Sequence, residues 1–191
     1  MSILNLQKND ILDLTKTNPG LKNLLLGAGW DVAKKGLFGL GADCDLDLVA
    51  ILLDENDKLL SKDALIYFRN KENRGIRLHG DNLTGKGDGD DENISISLDK
   101  LPDKCNKVVF SVCIYEAKKR RQSFSQVKNA YIRLLDIDKN NEVVCIYNLS
   151  KDGGNKTAVI FSELYRENGS WKFKAVGESI DASVITLAGM Y

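Results

Sequence analysis

An apolar run near the middle of the chain reads Val108-Val109-Phe110-Ser111-Val112-Cys113-Ile114-Tyr115. Apolar side chains occupy even and odd positions alike, so a strand here buries both of its faces. Shorter strand-like segments surround this run, and turn signals such as Asn168-Gly169 separate them. About ten short strands, with turns roughly every 8 to 12 residues and no long helical periodicity, predict an all-β fold: an antiparallel β-sandwich with minor helical turns.

The other predicted elements lie on both sides of this central strand. Residues 3–14 alternate loosely around Lys8-Asn9-Asp10, which predicts a hairpin-like pair of strands. Residues 116–127 contain the basic run Lys118-Lys119-Arg120-Arg121 and predict a helical turn or loop. Further strands are predicted over residues 24–31, 64–68, 75–78, 94–98, 130–135, 142–147, 157–165 and 171–176.

The length and composition predict one soluble domain over residues 1–191. Lys plus Arg equals Asp plus Glu at 27 each, which favours neither a nucleic acid nor an anionic membrane as partner. No apolar segment is long enough to span a membrane, so we expect a cytoplasmic protein without membrane insertion. Four widely spaced cysteines and one histidine predict neither a zinc site nor a Ser-His-acid triad.

One segment is strongly acidic and rich in glycine. It reads Gly80-Asp81-Asn82-Leu83-Thr84-Gly85-Lys86-Gly87-Asp88-Gly89-Asp90-Asp91-Glu92. Repulsion between its carboxylates costs about 1 kcal/mol for each close pair at the surface. A hard divalent cation removes that cost, and carboxylate, amide, hydroxyl and carbonyl oxygens are the ligands that Ca²⁺ prefers. A solvated acidic turn without an ion explains these residues equally well.

Two familiar motifs fail on this segment. An EF-hand frame from Asp81 to Glu92 places Leu83 and Gly85 where oxygen ligands belong, and Lys86 where glycine belongs. The spacing from Gly80 to Lys86 matches a phosphate-binding loop, but the hydroxyl residue that holds Mg²⁺ is missing and acids follow. The segment is therefore neither motif.

A second acidic segment surrounds Asp45. Strand geometry places Asp43, Asp45 and Asp47 on one face, with Cys44, Leu46 and Leu48 on the other. Three carboxylates on one face repel each other unless solvent or a cation neutralises them. Two acidic segments in one small domain favour the metal-binding interpretation over either segment alone.

Several motifs together resemble the TerD family of tellurium-resistance and stress-response proteins. They are the acidic segment 80–92 with Gly29-Trp30-Asp31 and Asp45-Leu46-Asp47 before it, Gln122-Ser123-Phe124, Asn129-Ala130-Tyr131-Ile132-Arg133, Glu163-Leu164-Tyr165-Arg166, and Trp171-Lys172-Phe173 with Ala175-Val176-Gly177. The resemblance spans nearly the whole chain. A Gly-rich segment with Leu37-Phe38 is similar to that of the TerZ-type branch.

This resemblance implies a bacterial β-sandwich that binds Ca²⁺ and has no established catalytic activity. We expect two Ca²⁺ ions. It also implies other Ter-type stress proteins and a TerC-type integral membrane protein as partners, at the inner face of the membrane. The expected carboxylate ligands are Asp31, Asp43, Asp45, Asp81, Asp90, Asp91 and Glu92, with carbonyl oxygens from Asn82 and Gly87 and second choices at Thr84 and Asp88.

Two other functions stay open on the sequence. The same acids could hold Mg²⁺ in an enzyme that processes phosphate or nucleotide substrates, with Lys86 or the basic run at residues 118–121 on the phosphate. The acidic face could instead bind a basic protein without any ion. The leading expectation is a non-enzymatic calcium-dependent binding or scaffold module.

Overall fold

The computed structural model describes residues 3–32, 44–80, 89–149 and 154–191, which form a sandwich of two β-sheets. Its strands are β1 (Leu4–Leu6), β2 (Ile11–Asp13), β3 (Asn23–Val32), β4 (Leu46–Leu53), β5 (Leu65–Ile66), β6 (Glu72–Asn73), β7 (Ile76–His79), β8 (Glu92–Ser97), β9 (Lys107–Ile114), β10 (Val127–Asp136), β11 (Glu142–Asn148), β12 (Ala158–Glu167) and β13 (Ser170–Ile180). The short α-helices are α1 (Leu14–Thr17), α2 (Ala117–Arg120) and α3 (Val184–Ala188), and 3-10 turns cover Lys62–Ala64, Phe124–Gln126 and Ile137–Lys139. The all-β sandwich is confirmed.

Among the described residues, the two sheets contain seven and six strands. The first has the order β1-β11-β10-β3-β8-β7-β6, and the second has the order β2-β13-β12-β9-β4-β5. Neighbouring strands are antiparallel, except that β1 runs parallel to β11. The predicted central strand is β9, which lies between β12 and β4 and buries both faces as expected.

The larger apolar core fills the space between the sheets. Leu46 and Leu48 of β4 contribute to it, as do Phe110 and Phe161, whose rings stack with centroids 6.3 Å apart. The intervening residues of β4, such as Val49, belong to a second apolar cluster that includes residues of α3. Because side chains alternate along a strand, this second cluster lies on the outer face of the six-stranded sheet.

The predicted N-terminal hairpin is wrong. β1 pairs with β11 of the first sheet, whereas β2 pairs with β13 of the second. The turn between them is held by distant backbone, because Lys8 Nζ donates to the Gly177 carbonyl at 2.7 Å and Asn9 N–H donates to the Ala175 carbonyl at 2.7 Å. Three-residue strands gain more hydrogen bonds at the edge of an existing sheet than from each other.

The predicted helical turn or loop over residues 116–127 is confirmed. It forms α2 and the 3-10 turn Phe124–Gln126. Glu116 and Arg121 flank α2 in the left-handed backbone region, with φ of 49° and 53°, which limits the helix to four residues. Within the described part of the chain, no helix is long and apolar enough to cross a membrane.

Candidate metal centre

Glu92 joins the two sheets at one end of the sandwich. Its side chain is 1 % exposed, and its Oε2 accepts a hydrogen bond of 2.6 Å from the Leu48 N–H. Glu92 begins β8 of the first sheet and Leu48 belongs to β4 of the second. The neighbouring strand β5 pairs only with Ala50 and Ile51, so the carboxylate satisfies a backbone donor that lies beyond this pairing. Both acidic segments therefore meet at this end.

Asp91 ties the same segment to β3. Its Oδ2 accepts a hydrogen bond of 2.8 Å from the Trp30 N–H, and its own N–H donates to the Ala28 carbonyl at 2.8 Å. Asp31 follows Trp30, is exposed, and accepts a hydrogen bond of 2.7 Å from the Asn129 amide. The structure therefore brings the predicted ligands Asp31 and Asp91 to the same end of the first sheet.

Asp90 is held by two side chains of β10. Arg133 Nε lies 2.8 Å from Oδ1 and 3.0 Å from Oδ2, and the Asp90 side chain is only 6 % exposed. The Tyr131 hydroxyl lies 3.2 Å from Oδ1 and donates to the Gly89 carbonyl at 3.1 Å. Burial, followed by the Asp90 charge, raises the pKa of Tyr131. The ion pair therefore fixes the position at which the acidic segment enters β8.

Two glycines of β3 make room for this network. A Cβ atom on Gly27 would lie 2.0 Å from Asp90 Oδ2, and one on Gly29 would lie 2.5 Å from the Tyr131 ring. Real Cβ atoms do not approach other atoms so closely, so any side chain here displaces the network. Glycine in the interior of a strand is the sequence signal for such a close approach. Gly29, Tyr131 and Arg133 belong to the motifs that resemble the family, but the sequence alone did not indicate that they, or Gly27, support Asp90.

The upstream acids lie at the start of β4. The Asp45 side chain is 13 % exposed, its Oδ2 lies 3.7 Å from Arg120 Nη1, and its carbonyl accepts from the Tyr115 N–H at 2.8 Å. Asp47 is 5 % exposed and faces away from the core that contains Leu46, as the strand alternation predicts. The remaining predicted ligands lie outside the described residues: Asp43, Asp81, Asn82, Thr84, Gly87 and Asp88. The Gly-rich segment with Leu37-Phe38 and Lys86 lie outside them too.

The described acids offer carboxylate oxygens, which are suitable ligands for a hard cation. A carboxylate offers about four lone-pair sites, so the backbone N–H donors on Asp91 and Glu92 are compatible with a metal bond. Asp90 differs from them, because Arg133 contacts both of its oxygens. Within the described ranges, no group of three or more His, Cys, Asp or Glu side chains is close enough to hold an ion. The expected ligand set includes residues outside these ranges, and the ligand assignments stay predictions.

Comparison with known proteins identifies the relatives of this chain. The family model described as the TerD domain matches residues 1–191. Tellurium resistance protein TerD of Serratia marcescens is 40 % identical, over 98 % of this chain and 96 % of the relative. General stress protein 16U of Bacillus subtilis (strain 168) is also 40 % identical, over the same shares of both chains. The crystal structure of a homologue of telluride resistance protein (TerD) from Streptomyces coelicolor A3(2) has the same fold, with a TM-score of 0.71 at 20 % identity over 88 % of this chain and 96 % of that chain.

Proposed function

The chain belongs to the TerD family, and from this membership we propose that it is a calcium-binding stress-response protein of the tellurite-resistance type. It acts as a calcium-dependent binding or scaffold module and not as an enzyme. Resistance and stress are the terms in the names of its relatives. The proposal adds calcium, which those names do not mention.

The observation that carries the proposal is the convergence of the two acidic segments and Asp31 at one end of the sandwich. Glu92 contacts β4 three residues after Asp45, and Asp91 contacts β3 one residue before Asp31. Like charges brought together by the fold repel each other, and a divalent cation offsets that repulsion. This arrangement supports a cation site.

The proposed ligands come from two parts of the chain that meet at this end of the sandwich. Asp31, Asp43 and Asp45 contribute from the upstream strands, and Asp91 and Glu92 contribute from the start of β8, together with residues 81–88. Two Ca²⁺ ions neutralise these acids and tie the segments to each other. Arg133 forms an ion pair with Asp90, which lies next to Asp91 in the chain. The position of the Asp90 carboxylate therefore depends on this ion pair as well as on any cation.

Calorimetric titration of chelator-stripped protein with Ca²⁺ and, separately, with Mg²⁺ tests the proposal. We expect saturable Ca²⁺ binding, a weak response to Mg²⁺, and a higher melting temperature with Ca²⁺. The stabilisation should reach about 2.7 kcal/mol at a hundredfold excess over Kd. The combined substitutions Asp90→Asn and Asp91→Asn should weaken binding.

The matched control replaces Asp99 and Asp103 by asparagine, because these exposed acids follow the other end of β8. It should leave calcium binding unchanged. No heat and no thermal shift with either ion would contradict the calcium proposal and leave the acidic end as a docking surface for a basic protein. Mg²⁺-dependent nucleotide turnover would instead support the enzyme alternative.

The proposed partners are other Ter-type stress proteins and a TerC-type integral membrane protein, which places the chain at the inner face of the membrane. If the bound ion creates the docking surface, co-purification of such partners should require Ca²⁺ and be lost in chelator. Equal recovery in both conditions would contradict a calcium-dependent scaffold.

A further inference from the structure

A cavity of about 340 Å³ lies at the end of the sandwich opposite the acids assigned to calcium. Leu52 lines it near the C-terminal end of β4, Arg74 from the connection between β6 and β7, and Lys104 from the segment after β8. Because β4 and β8 both begin at the acidic end, residues near and beyond their C-terminal ends lie at the opposite end. The volume is at the lower end of the range for small-molecule sites, so the cavity suits a small ligand.

The segments that carry the walls of this cavity are fixed to one another. The Asn73 side-chain amide donates to the Asp63 carbonyl at 2.8 Å, and its oxygen accepts from the Arg74 N–H at 2.6 Å. These bonds tie the connection between β6 and β7 to the 3-10 turn before β5. A Cβ atom on Gly75 would lie 2.6 Å from the Leu101 nitrogen, so the same connection also packs directly against the backbone that follows β8. The cavity is therefore formed before any ligand binds.

Two cationic side chains line the mouth of the cavity. Arg74 and Lys104 are exposed, and neither charged group forms an ion pair within the described part of the chain. Asp103 is the only acid among the described lining residues, so the two cations leave the lining with one net positive charge. A single positive charge matches a monoanion such as a carboxylate better than a dianion such as phosphate.

The inner wall of the cavity is apolar. Leu52 and Ala64 belong to the core between the sheets, and Leu60 packs against that core. Ser61 precedes the 3-10 turn Lys62–Ala64, but its side chain makes no capping hydrogen bond to that turn. Its hydroxyl is therefore available to a ligand. An apolar wall beside two cations and a hydroxyl suits a ligand that has one anionic end and one apolar end.

We propose that this cavity binds a small organic acid with a single carboxylate and a short apolar chain. The carboxylate lies between Arg74 and Lys104, and the Ser61 hydroxyl donates a further hydrogen bond to it. A guanidinium can hold both oxygens of a carboxylate at once, which orients the ligand, and the apolar chain lies against the inner wall. This site is separate from the acids assigned to calcium and does not depend on the proposed function.

The test uses hexanoate as the probe, with 1-hexanol as its neutral counterpart, hexylamine as a cation of the same length and inorganic phosphate as an anion without an apolar chain. Binding to the full chain is measured by calorimetry and by the chemical shifts of backbone amides. We expect hexanoate to bind at least about tenfold more tightly than hexanol, because hydrogen bonds between charged groups contribute more than neutral ones. The largest shifts should occur at residues 60–64, 73–74 and 102–104.

Three substitutions change the charge of the lining in opposite directions. Arg74→Gln removes the bidentate donor and should weaken hexanoate binding at least about tenfold, and Lys104→Gln should weaken it severalfold. Asp103→Asn removes the acid and should strengthen binding about two- to fivefold, a gain that damage to the fold would not produce. The matched controls are Arg77→Gln and Lys100→Gln, because these exposed cations belong to neighbouring segments and do not line the cavity. Their affinities for hexanoate should equal that of the parent protein.

Four results would overturn the proposal. Equal binding of hexanoate and hexanol would show that the cations play no part. Tighter binding of hexylamine, lost in Asp103→Asn, would assign the cavity to a cation, and tighter binding of phosphate would assign it to an inorganic anion. Absence of hexanoate binding at millimolar concentration would show that the cavity is not a site. If one variant does not fold, the other variants and the probe series decide between these results.

Discussion

The Leu48 N–H of one sheet donates a 2.6 Å hydrogen bond to the buried Glu92 carboxylate of the other sheet. Two β-sheets in a sandwich normally contact each other through apolar side chains. Here an acidic side chain crosses between them, at the end where the acidic segments converge. The strength of this contact determines how firmly the candidate metal centre is attached to the fold.

Two substitutions of Glu92 should lower the free energy of unfolding by different amounts. Glu92→Leu leaves the Leu48 N–H buried without its acceptor, which costs about 1 to 3 kcal/mol in the free energy of unfolding. Glu92→Gln keeps an acceptor oxygen and should cost less. Urea unfolding in chelator measures both, and Glu55→Gln, at an exposed turn position, is the neutral control. Equal stability of Glu92→Leu and the parent would contradict a structural role.

Gly27→Ala should disturb Asp90 directly. The added Cβ would lie 2.0 Å from Asp90 Oδ2, so the carboxylate must leave its ion pair with Arg133. Overpacking of this kind costs about 1 to 3 kcal/mol, which thermal melts can measure. Gly189→Ala is the control, because its Cβ would meet atoms only at 3.5 Å. Similar melting temperatures for the two variants would show that Asp90 moves aside without cost.

Arg133 and Asp90 should prove energetically coupled. The Arg133→Met substitution leaves a carboxylate that is 6 % exposed without its cation, whereas Arg133→Met combined with Asp90→Asn removes both charges. A double-mutant cycle in chelator should give a coupling energy of about 0.5 to 3 kcal/mol. Additive single effects would show that the ion pair does not stabilise the acidic end. A control pair, Lys156→Met and Asp181→Asn, is half exposed and should couple weakly.

The buried thiols should react slowly in the folded protein. Burial raises the pKa of Cys105 to about 11 and that of Cys113 and Cys145 to about 12, from an ordinary value of 9.0. The thiolate is the reactive form, so a thiol reagent at pH 8 should modify these residues only after denaturation. An exposed cysteine introduced by Ser61→Cys should react at once in the same assay.

The same pKa values predict how the free energy of unfolding changes at alkaline pH. Above about pH 9 the unfolded chain releases thiol protons that the folded chain keeps, so the folded state loses relative stability. The contribution is fully present below pH 9 and is lost as the pH rises towards 11 and 12. Urea unfolding of the parent and of Cys113→Ala at pH 8 and 10 measures it. A parent that falls no more steeply than the variant would contradict the prediction.

Much of the sandwich could be predicted because its signals are local. The apolar run at β9 and the alternation at β8 identify strands without knowledge of their partners. The pairing of β1 and β2 could not be predicted, because it depends on β11 and β13, which lie more than a hundred residues further along the chain. The composition of a three-residue strand does not indicate with which distant sheet edge it pairs.

The acids of the candidate site could be recognised in the sequence, but the residues that hold them in place could not. Charge and glycine content indicated Asp45 and residues 90–92, and the family resemblance added Asp31; the structure does bring these residues to one end of the sandwich. Tyr131 and Arg133 look like ordinary residues of a strand, and their contact with Asp90 depends on the pairing of β10 with β3. Gly27-Ala28-Gly29 offered a local signal, since glycine within a strand often marks a close approach.

The division of β1 and β2 between the sheets has a consequence for synthesis on the ribosome. β1 and β2 pair with β11 and with β13, which lie more than a hundred residues later, so their pairing waits until β13, which ends at Ile180, has been made. Until then both sheets expose an edge that can pair with another nascent chain. Slow translation or early arrest should therefore yield aggregation-prone intermediates, and chaperone dependence should be greatest before β13 is complete.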